Sequence, residues 1–251
     1  MIQSLGNWVD SKKFNSPYNL FFDIINPMPN SIYIQVEPEA IIPRKDFLLQ
    51  NWKSYAYILT FNDEILQLPN ARKYISGCSW ITPEEYTSIR KNKEFKISTI
   101  VGNKNITTGH QLRQKLLHEN FSNVSYYVSN SGVHPGKPLV GPSKFKTFQN
   151  YQYQIVIENS QQKNYFSEKL GDCLITKTIP IYWGCPNISE YFDTSGWIFF
   201  TDITDLTKKL NELTSENYSI HTSSIDENYK KAVEYSDFLE NINKTLKVLP
   251  N

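Results

Sequence analysis

A strand–helix–strand pattern in residues 151–186 constrains the fold of this chain more than any other feature. Residues 154–157 (QIVI) form a short apolar, β-branched run, which is typical of a strand covered on both faces. Residues 179–183 (IPIYW) form a second such run. Between the two runs, apolar residues recur at helical spacing, as Phe166, Leu170, Cys173 and Leu174. Two strands joined through a helix are expected to be parallel neighbours in one sheet.

Polar residues gather where these strands end and where the helix begins. In open α/β sheets the ligand crevice lies at the carboxyl ends of the strands, and the first turn of a helix suits a phosphate. A carboxylate beside an ammonium, as in Glu168-Lys169, can hold a ribose diol and a diphosphate, although such a pair is more often a solvated helix cap. Convergence of several polar residues therefore indicates a nucleotide-sugar site. The residues expected there are Glu158, Asn159, Tyr165, Ser167, Glu168, Lys169 and Gly184.

Composition excludes several classes of protein. Hydrophobic residues make up 39% of the chain and charged residues 20%, as expected of a globular protein with a substantial core. The net charge of +1 provides no strong field that would attract nucleic acid. The odd number of cysteines, without metal-ligand spacing, predicts a reducing compartment. No apolar run is long enough to span a membrane and no signal-peptide pattern follows Met1, so the sequence predicts a cytoplasmic protein.

Strand-like runs alternate with short helical segments on both sides of a charged stretch, residues 82–94, which predicts an α/β protein with two lobes. The predicted domains are a small acceptor-side lobe (1–92), a nucleotide-sugar-binding Rossmann-like lobe (93–225) and a C-terminal helix that packs across the lobes (226–251). The predicted strands are residues 20–25, 31–36, 55–61, 95–101, 123–129, 154–157, 179–183 and 197–200. The further predicted helices are a short one at 44–52, then 107–119, 204–213 and 226–247, the last as one long helix or two.

Three blocks of sequence, in this order, resemble the signature of glycosyltransferase family ten, the α-1,3/1,4-fucosyltransferases. They are residues 157–160 (IENS), 165–169 (YFSEK) and 179–187 (IPIYWGCPN), where the family shows patterns close to FEN, YVTEK and IPIYWG. The resemblance covers about residues 95–200 well and the rest loosely. It implies two Rossmann-like lobes of the GT-B type, with parallel sheets flanked by helices and an active site in the cleft. The N-terminal lobe is short for that fold.

The resemblance implies an inverting glycosyltransferase that moves fucose from GDP-fucose to a glycan hydroxyl, with a glutamate of the N-terminal lobe as the base. Glu37, directly after a predicted strand, is the first candidate for that base and Glu39 the second. Asp23 and Asp63 are weaker rivals. The residues alone leave a second interpretation open, in which Glu37 and Glu39 are exposed loop acids on either side of Pro38.

Further donor-binding candidates lie in the second lobe. The turn at Gly102-Asn103 loosely resembles a family turn near the donor, and the following helix carries Arg113, although an arginine there is more often a surface or cap residue. Many family members carry a diphosphate-binding arginine in the segment that corresponds to residues 130–142, and this chain has none. Lys137 or Lys144 could replace it, but a lysine lacks the bidentate geometry of arginine. The identity of the donor is therefore left undecided.

No DxD-type metal motif is present, so the sequence predicts no required cofactor or metal; the donor is GDP-fucose or another nucleotide-sugar. The expected partners are this donor and a glycan or glycoconjugate acceptor, without nucleic acid or an integral membrane segment. Because Golgi members of the family carry a membrane anchor, its absence implies a bacterial or viral enzyme. The alternatives are a transferase for another donor, a non-catalytic sugar-nucleotide-binding protein, and a carbohydrate-binding or structural protein that keeps only the fold.

Overall fold

The computed structural model of the protein describes residues 17–89, 92–129 and 137–248, so residues 1–16 of the predicted first lobe and most of the predicted loop 130–142 lie outside it. The strands are Asn19–Phe22 (β1), Ser31–Ile34 (β2), Tyr57–Thr60 (β3), Ala71–Lys73 (β4), Glu94–Val101 (β5), Val124–Val128 (β6), Tyr151–Ile157 (β7), Ile179–Trp183 (β8) and Ile198–Phe199 (β9). The helices are Lys45–Asn51 (α1), Pro83–Thr87 (α2), Thr108–Glu119 (α3), Glu168–Ile175 (α4), Ile203–Glu212 (α5), Glu216–Ile220 (α6), Thr222–Ser236 (α7) and Phe238–Lys247 (α8).

The strands form two sheets, and every pairing is parallel. The first sheet has the order β1-β2-β3-β4, and the second has the order β6-β5-β7-β8-β9. The direction of winding in the second sheet reverses between β5 and β7, which is the position where open α/β sheets bind their ligands. The predicted α/β fold with two Rossmann-like lobes is confirmed.

The first sheet is covered on its two faces by helices from opposite ends of the chain. Ile32 and Ile34 of β2 pack with residues of α8, whose Ile242 is fully buried. Tyr33, on the other face of β2, packs with Leu48 of α1. The last helix therefore completes the core of the first lobe. The domain limits at residues 92 and 225 stay predictions.

The second sheet also has two buried faces. Alternate residues of β7, such as Tyr153 and Ile155, share a core with α3, α5 and α6. Val156 faces the opposite side, where the core is formed by α4, α7 and the aromatic side chains after β8. Burial on both faces explains why the end of β7 (residues 155–157, IVI) and β8 form continuous apolar runs.

Several predicted elements differ in extent from those observed. β1 ends at Phe22 because Asp23 has a left-handed backbone, with φ of 54°. The stretch 226–247, predicted as one long helix or two, is found as two helices, because Asp237 has extended backbone angles and its side chain caps α8. β4 was not predicted, since its residues (ARK) lack an apolar run. No described helix is long and apolar enough to cross a membrane.

Helix α4 joins the second lobe to the segment that follows β4. The Asp172 carboxylate accepts hydrogen bonds from the Ser79 hydroxyl (2.8 Å) and from the Trp80 backbone N–H (2.6 Å). Gly171 lets the helix approach this segment closely, because a Cβ atom at residue 171 would lie 2.0 Å from the Cys78 carbonyl oxygen. The spacing between helix and segment is therefore set by the absence of a side chain.

We expect Gly171→Ala to destabilise the protein. In an exposed helix interior the same change stabilises a helix by about 1 kcal/mol. Overpacking against the backbone costs about 1–3 kcal/mol and outweighs the gain in helix propensity. Urea unfolding at pH 7 measures the difference. The matched control is Gly102→Ala, whose Cβ would lie 3.2 Å from a rotatable Ser129 hydroxyl. Equal stability of Gly171→Ala and wild type would contradict this account.

Candidate active site

A cavity of about 840 Å³ lies between the carboxyl edges of the two sheets. One wall comes from the ends of β1 and β2, and the other from the ends of β5 and β7 and from the first turn of α4. Phe238 of α8 closes the side next to the first lobe. The charged residues that line the cavity are Asp23, Glu37, Lys104, Arg113, Lys144, Glu168, Lys169 and Asp172.

Two carboxylates of the first lobe line the cavity. Asp23 follows β1 and Glu37 follows β2, so parallel pairing brings them to the same sheet edge. The backbone N–H of Glu37 donates to the Asp23 carboxylate (2.9 Å). Burial raises the pKa of Asp23 to about 6, although backbone hydrogen bonds from Val36 and Glu37 lower it in part. This wall of the cavity is therefore acidic.

Glu39, the second candidate for the base, does not line the cavity. One of its carboxylate oxygens accepts hydrogen bonds from the backbone N–H groups of Arg44 (3.0 Å) and Lys45 (3.1 Å), where α1 begins. The other accepts from the Gln35 amide (3.2 Å). These contacts occupy both oxygens with the support of the loop.

The opposite wall is formed around Asn159, two residues after β7. The Arg113 guanidinium of α3 donates to the Asn159 side-chain oxygen (2.9 Å) and to the carbonyl oxygen of Ile157. The Asn159 amide nitrogen in turn donates to the Glu37 carboxylate (3.3 Å). A buried arginine of the second lobe is thus connected through one amide to a carboxylate of the first.

Close packing at the start of α3 positions this arginine. A Cβ atom at residue 109 would lie 1.9 Å from the carbonyl oxygen of Glu158, so only glycine lets α3 approach the end of β7. Thr107 and His110 form the capping box of the helix. Burial and the nearby Arg113 lower the pKa of His110 to about 4, which leaves its imidazole neutral at pH 7 and able to accept the Thr107 N–H.

Helix α4 begins at the cavity, and a buried carboxylate supports its first turn. The Glu158 carboxylate accepts hydrogen bonds from the Ser167 N–H (2.9 Å) and the Ser167 hydroxyl (2.7 Å). Burial raises the pKa of Glu158, and Lys169 offsets part of that rise. The Lys169 ammonium lies 3.1 Å from the Ser167 hydroxyl and 3.3 Å from the Glu168 carboxylate, and its side chain is 29% exposed. A cation is therefore held at the helix N-terminus with access to the cavity.

Lys144 connects two acidic residues of α4. Its ammonium lies 3.0 Å from the Asp172 carboxylate and 3.6 Å from that of Glu168, and it stands 3.9 Å from the centre of the Trp80 ring. Burial would raise the pKa of Glu168, but Lys169 and Lys144 outweigh it and hold the value at about 2. The Glu168 carboxyl is therefore ionised at neutral pH and remains an acceptor for hydroxyl groups.

The cavity brings together most of the predicted donor-binding residues. Those that line it are Asn103, Arg113, Asn159, Tyr165, Ser167, Glu168 and Lys169. Glu158 lies behind Ser167 and is fully buried, and Gly184 packs against it. Lys137 is directed away, with its ammonium at the Asn120 side chain and over the Tyr126 ring. The functional roles of all these residues stay predictions.

Sequence reasoning missed the part that Asp172 and Trp80 play in this cavity. An aspartate in a short apolar helix (EKLGDCLI) is itself a signal, because a buried charge requires partners. Trp80 carried no distinguishing pattern. Between the two possible substitutes for the missing arginine, Lys144 lines the cavity and Lys137 does not.

Chemically, the cavity combines the carboxylates of Asp23 and Glu37 on one wall with cations, ion-paired carboxylates of α4 and a helix N-terminus on the other. Such an arrangement can accept a proton on one side and stabilise an anionic group on the other. Within residues 17–89, 92–129 and 137–248, no group of three or more His, Cys, Asp or Glu side chains has a geometry that could hold a metal ion.

Two Rossmann-like lobes with a cavity between their carboxyl edges define the GT-B type of architecture. The family model described as glycosyltransferase family 10 (fucosyltransferase) C-term matches residues 90–240. The chain belongs to this family, as the sequence blocks predicted.

Individual relatives are more distant. A stretch of 69 residues is 28% identical to the alpha-(1,3)-fucosyltransferase FucT of Helicobacter pylori; the match spans 28% of this chain and 14% of that protein. A crystal structure of an alpha1,3-fucosyltransferase with GDP-fucose superimposes with a TM-score of 0.55 at 17% identity, over 92% of this chain and 78% of that one. TarM superimposes with a TM-score of 0.54 at 12% identity, over 87% and 50%. The structural matches support the fold.

We expect Lys144→Met to lower the free energy of unfolding at pH 7 by about 3–5 kcal/mol, because it leaves the Asp172 carboxylate buried without its cation. Lys144 also helps to depress the pKa of Glu168, whose contribution to stability is present above its unfolded pKa and is lost as pH falls toward about 2. The loss in Lys144→Met should therefore be largest at neutral pH and smaller in acid.

Urea unfolding at pH 7 and pH 4 measures this effect. The exposed neighbour Lys146→Met is the matched control and should change stability by less than about 0.5 kcal/mol. The double variant Lys144→Met/Asp172→Asn should recover most of the loss, since it removes the unpaired charge. No recovery in the double variant would mean that the ion pair is not the cause.

Proposed function

We propose that the protein is an inverting fucosyltransferase that transfers fucose from GDP-fucose to a hydroxyl group of a glycan, with Glu37 as the base. The observation that carries the proposal is the contact across the cleft, in which Asn159 of the nucleotide-side lobe donates to the Glu37 carboxylate (3.3 Å). This contact holds a proton acceptor against the edge of the second sheet. Membership of family 10 and the solved relative with GDP-fucose support the choice of donor.

The donor fits the second lobe by chemistry. Glu168, ionised and mostly buried, accepts hydrogen bonds from the ribose hydroxyls. Lys169 and the N-terminus of α4 face the diphosphate, since a helix N-terminus and an ammonium both favour phosphate oxygens. Asn159 and Tyr165 line the same part of the cavity and contact the phosphate or the sugar.

The reaction is a single displacement. The acceptor hydroxyl gives its proton to the Glu37 carboxylate while its oxygen attacks the anomeric carbon of the donor sugar. The bond from that carbon to the diphosphate oxygen breaks, and its electron pair leaves with the diphosphate, so the configuration inverts. Lys169 stabilises the negative charge that develops on the leaving group, and such preorganised stabilisation is often the largest single contribution to catalysis.

Glu37 fits the role of base better than its rivals. Both oxygens of Glu39 are held by backbone and side-chain donors of its own loop, outside the cavity. Asp23 lines the cavity, but its two oxygens accept three hydrogen bonds within the first lobe. A base must be within hydrogen-bond reach of the proton that it removes, which favours the less occupied carboxylate.

GDP-fucose and GDP are expected to raise the melting temperature. At ligand about 100-fold above Kd the stabilisation is about 2.7 kcal/mol, and a chain of this length melts about 2–4 °C higher for each kcal/mol. Melts with GDP, GDP-fucose, GDP-mannose, UDP-glucose and CMP, each with and without EDTA, compare the donors. Lys169→Ala should weaken the binding of GDP much more than the binding of guanosine. Stabilisation by UDP or CMP compounds instead would rule out GDP-fucose as the donor. No stabilisation by any of these nucleotides would favour a protein that keeps the fold without binding nucleotides.

Glu37→Gln is expected to lower kcat by about 10²–10⁴-fold, the usual contribution of a general base, and to leave the Kd of GDP nearly unchanged. Transfer of radiolabelled fucose to a glycan panel measures the rate. Glu39→Gln on the same loop is the matched control: it should lower stability but retain most of kcat in the folded fraction. If Glu39→Gln abolishes transfer and Glu37→Gln does not, the two assignments are reversed.

A further inference from the structure

Asp23 lies at the end of β1 in a conformation that few residue types adopt. Its φ of 54° is left-handed, where aspartate and asparagine are the most tolerated residues after glycine. Its backbone N–H still donates to the Ile34 carbonyl oxygen of β2 (3.0 Å). The turn away from the strand directs the side chain into the cavity wall.

The Asp23 carboxylate holds the loop that follows β2. One oxygen accepts hydrogen bonds from the Val36 N–H (3.0 Å) and the Tyr33 hydroxyl (3.3 Å), and the other accepts from the Glu37 N–H (2.9 Å). Three donors of one neighbouring segment therefore converge on a single side chain. Charge-assisted hydrogen bonds of this kind are about twice as strong as neutral ones.

These contacts hold the backbone of Glu37 within the first lobe, while the Asn159 amide of the other lobe donates to its carboxylate. We propose that the ionised Asp23 carboxylate is the positioning residue for Glu37, fixing the backbone from which the base reaches the acceptor hydroxyl. This inference rests on the proposed function. It assigns to Asp23 a role in the geometry of the base rather than in proton transfer.

The geometry favours the carboxylate form. Each Asp23 oxygen faces a backbone N–H, so the NH₂ group of an asparagine would oppose one of these donors, and a proton would remove the charge that strengthens the hydrogen bonds. The titratable groups that act on this carboxyl are Tyr33 of β2 and Glu37 of the following loop. From α8, the packed neighbour is the apolar ring of Phe238 against Phe22.

The charge on Asp23 is held at a cost to stability. Burial raises its pKa to about 6, above the unfolded value of 3.8. A raised pKa means that the carboxyl stabilises the fold only while it is protonated, and that this contribution is lost as pH rises through about 6. At pH 7.5 the ionised group is therefore unfavourable for folding, which is typical of a functional residue rather than one kept for stability.

Asp23→Asn is expected to lower kcat by about 10–100-fold, the effect of a small displacement of a catalytic group. The melting temperature at pH 7.5 should be equal to that of wild type or higher, and the Kd of GDP should not change, because the donor contacts lie in the other lobe. Asp46→Asn, an exposed acid of the same lobe, is the matched control and should leave all three values unchanged. A fall in melting temperature together with kcat would make the role structural and overturn the proposal.

The pH profile provides a readout that a structural role would not move. The acid limb of the kcat/KM profile of wild type should reflect the titration of a group near pH 6, and this limb should move to lower pH in Asp23→Asn. Tyr33→Phe keeps the ring but removes a hydrogen bond that lowers the pKa of Asp23, so the limb should move to higher pH with an unchanged plateau. An acid limb that stays at the same pH in both variants would overturn the proposal.

Hydrogen exchange tests the positioning without any transferase activity. The amides of Val36 and Glu37 should be protected in wild type above pH 6 and less protected below it, and at least one of the two should be unprotected at every pH in Asp23→Asn. Protection that is the same in both proteins would overturn the proposal even in an active enzyme.

If wild type shows the expected exchange pattern but transfers no sugar from any donor, the proposed function fails and the anchoring of the loop stands. If Asp23→Asn alone abolishes transfer while Glu37→Gln does not, Asp23 is the base and the positioning role is wrong.

Discussion

The Asp172 carboxylate joins three parts of the chain that are distant in sequence. It takes hydrogen bonds from Ser79 and Trp80, which follow the first sheet, and an ion pair from Lys144, while it belongs to the helix whose first turn faces the cavity. A buried carboxylate is tolerated only when its oxygens are fully partnered, so the three segments must keep one arrangement. The width of the cleft at this end depends on that arrangement, and Gly171 permits it sterically.

Charge is distributed across the cleft in a way that suits transfer between two substrates. The first lobe contributes the carboxylates of Asp23 and Glu37. The second contributes Arg113 and Lys169 next to a helix N-terminus, together with the carboxylate of Glu168. Asn159 connects the two walls and contacts both the arginine and Glu37. Because an amide can donate and accept at once, it lets opposite charges face the cavity without pairing directly with each other.

The second lobe was largely predictable because its signals are local. The alternation of apolar strand and amphipathic helix in residues 151–186 is found as β7, α4 and β8, and the polar residues at the strand ends meet at the cavity. The first lobe was less predictable: β4 has no apolar run, and what distinguishes Glu37 from Glu39 is the tertiary contact of Glu37 with Asn159, a residue distant in sequence. The pairing of Lys144 with Asp172 depends on tertiary structure, which no local pattern encodes.

The packing of α8 on the first sheet has a consequence for synthesis of the chain. Ile32 and Ile34 leave the ribosome well before α8, the described helix that covers their face. Until residue 247 has emerged, the first lobe exposes an apolar sheet surface, whereas the second lobe already has both faces covered by α3, α4, α5 and α7. The first lobe therefore completes its core after the second, which reverses the usual order in which domains fold from the amino end, and the apolar surface left uncovered until then favours aggregation.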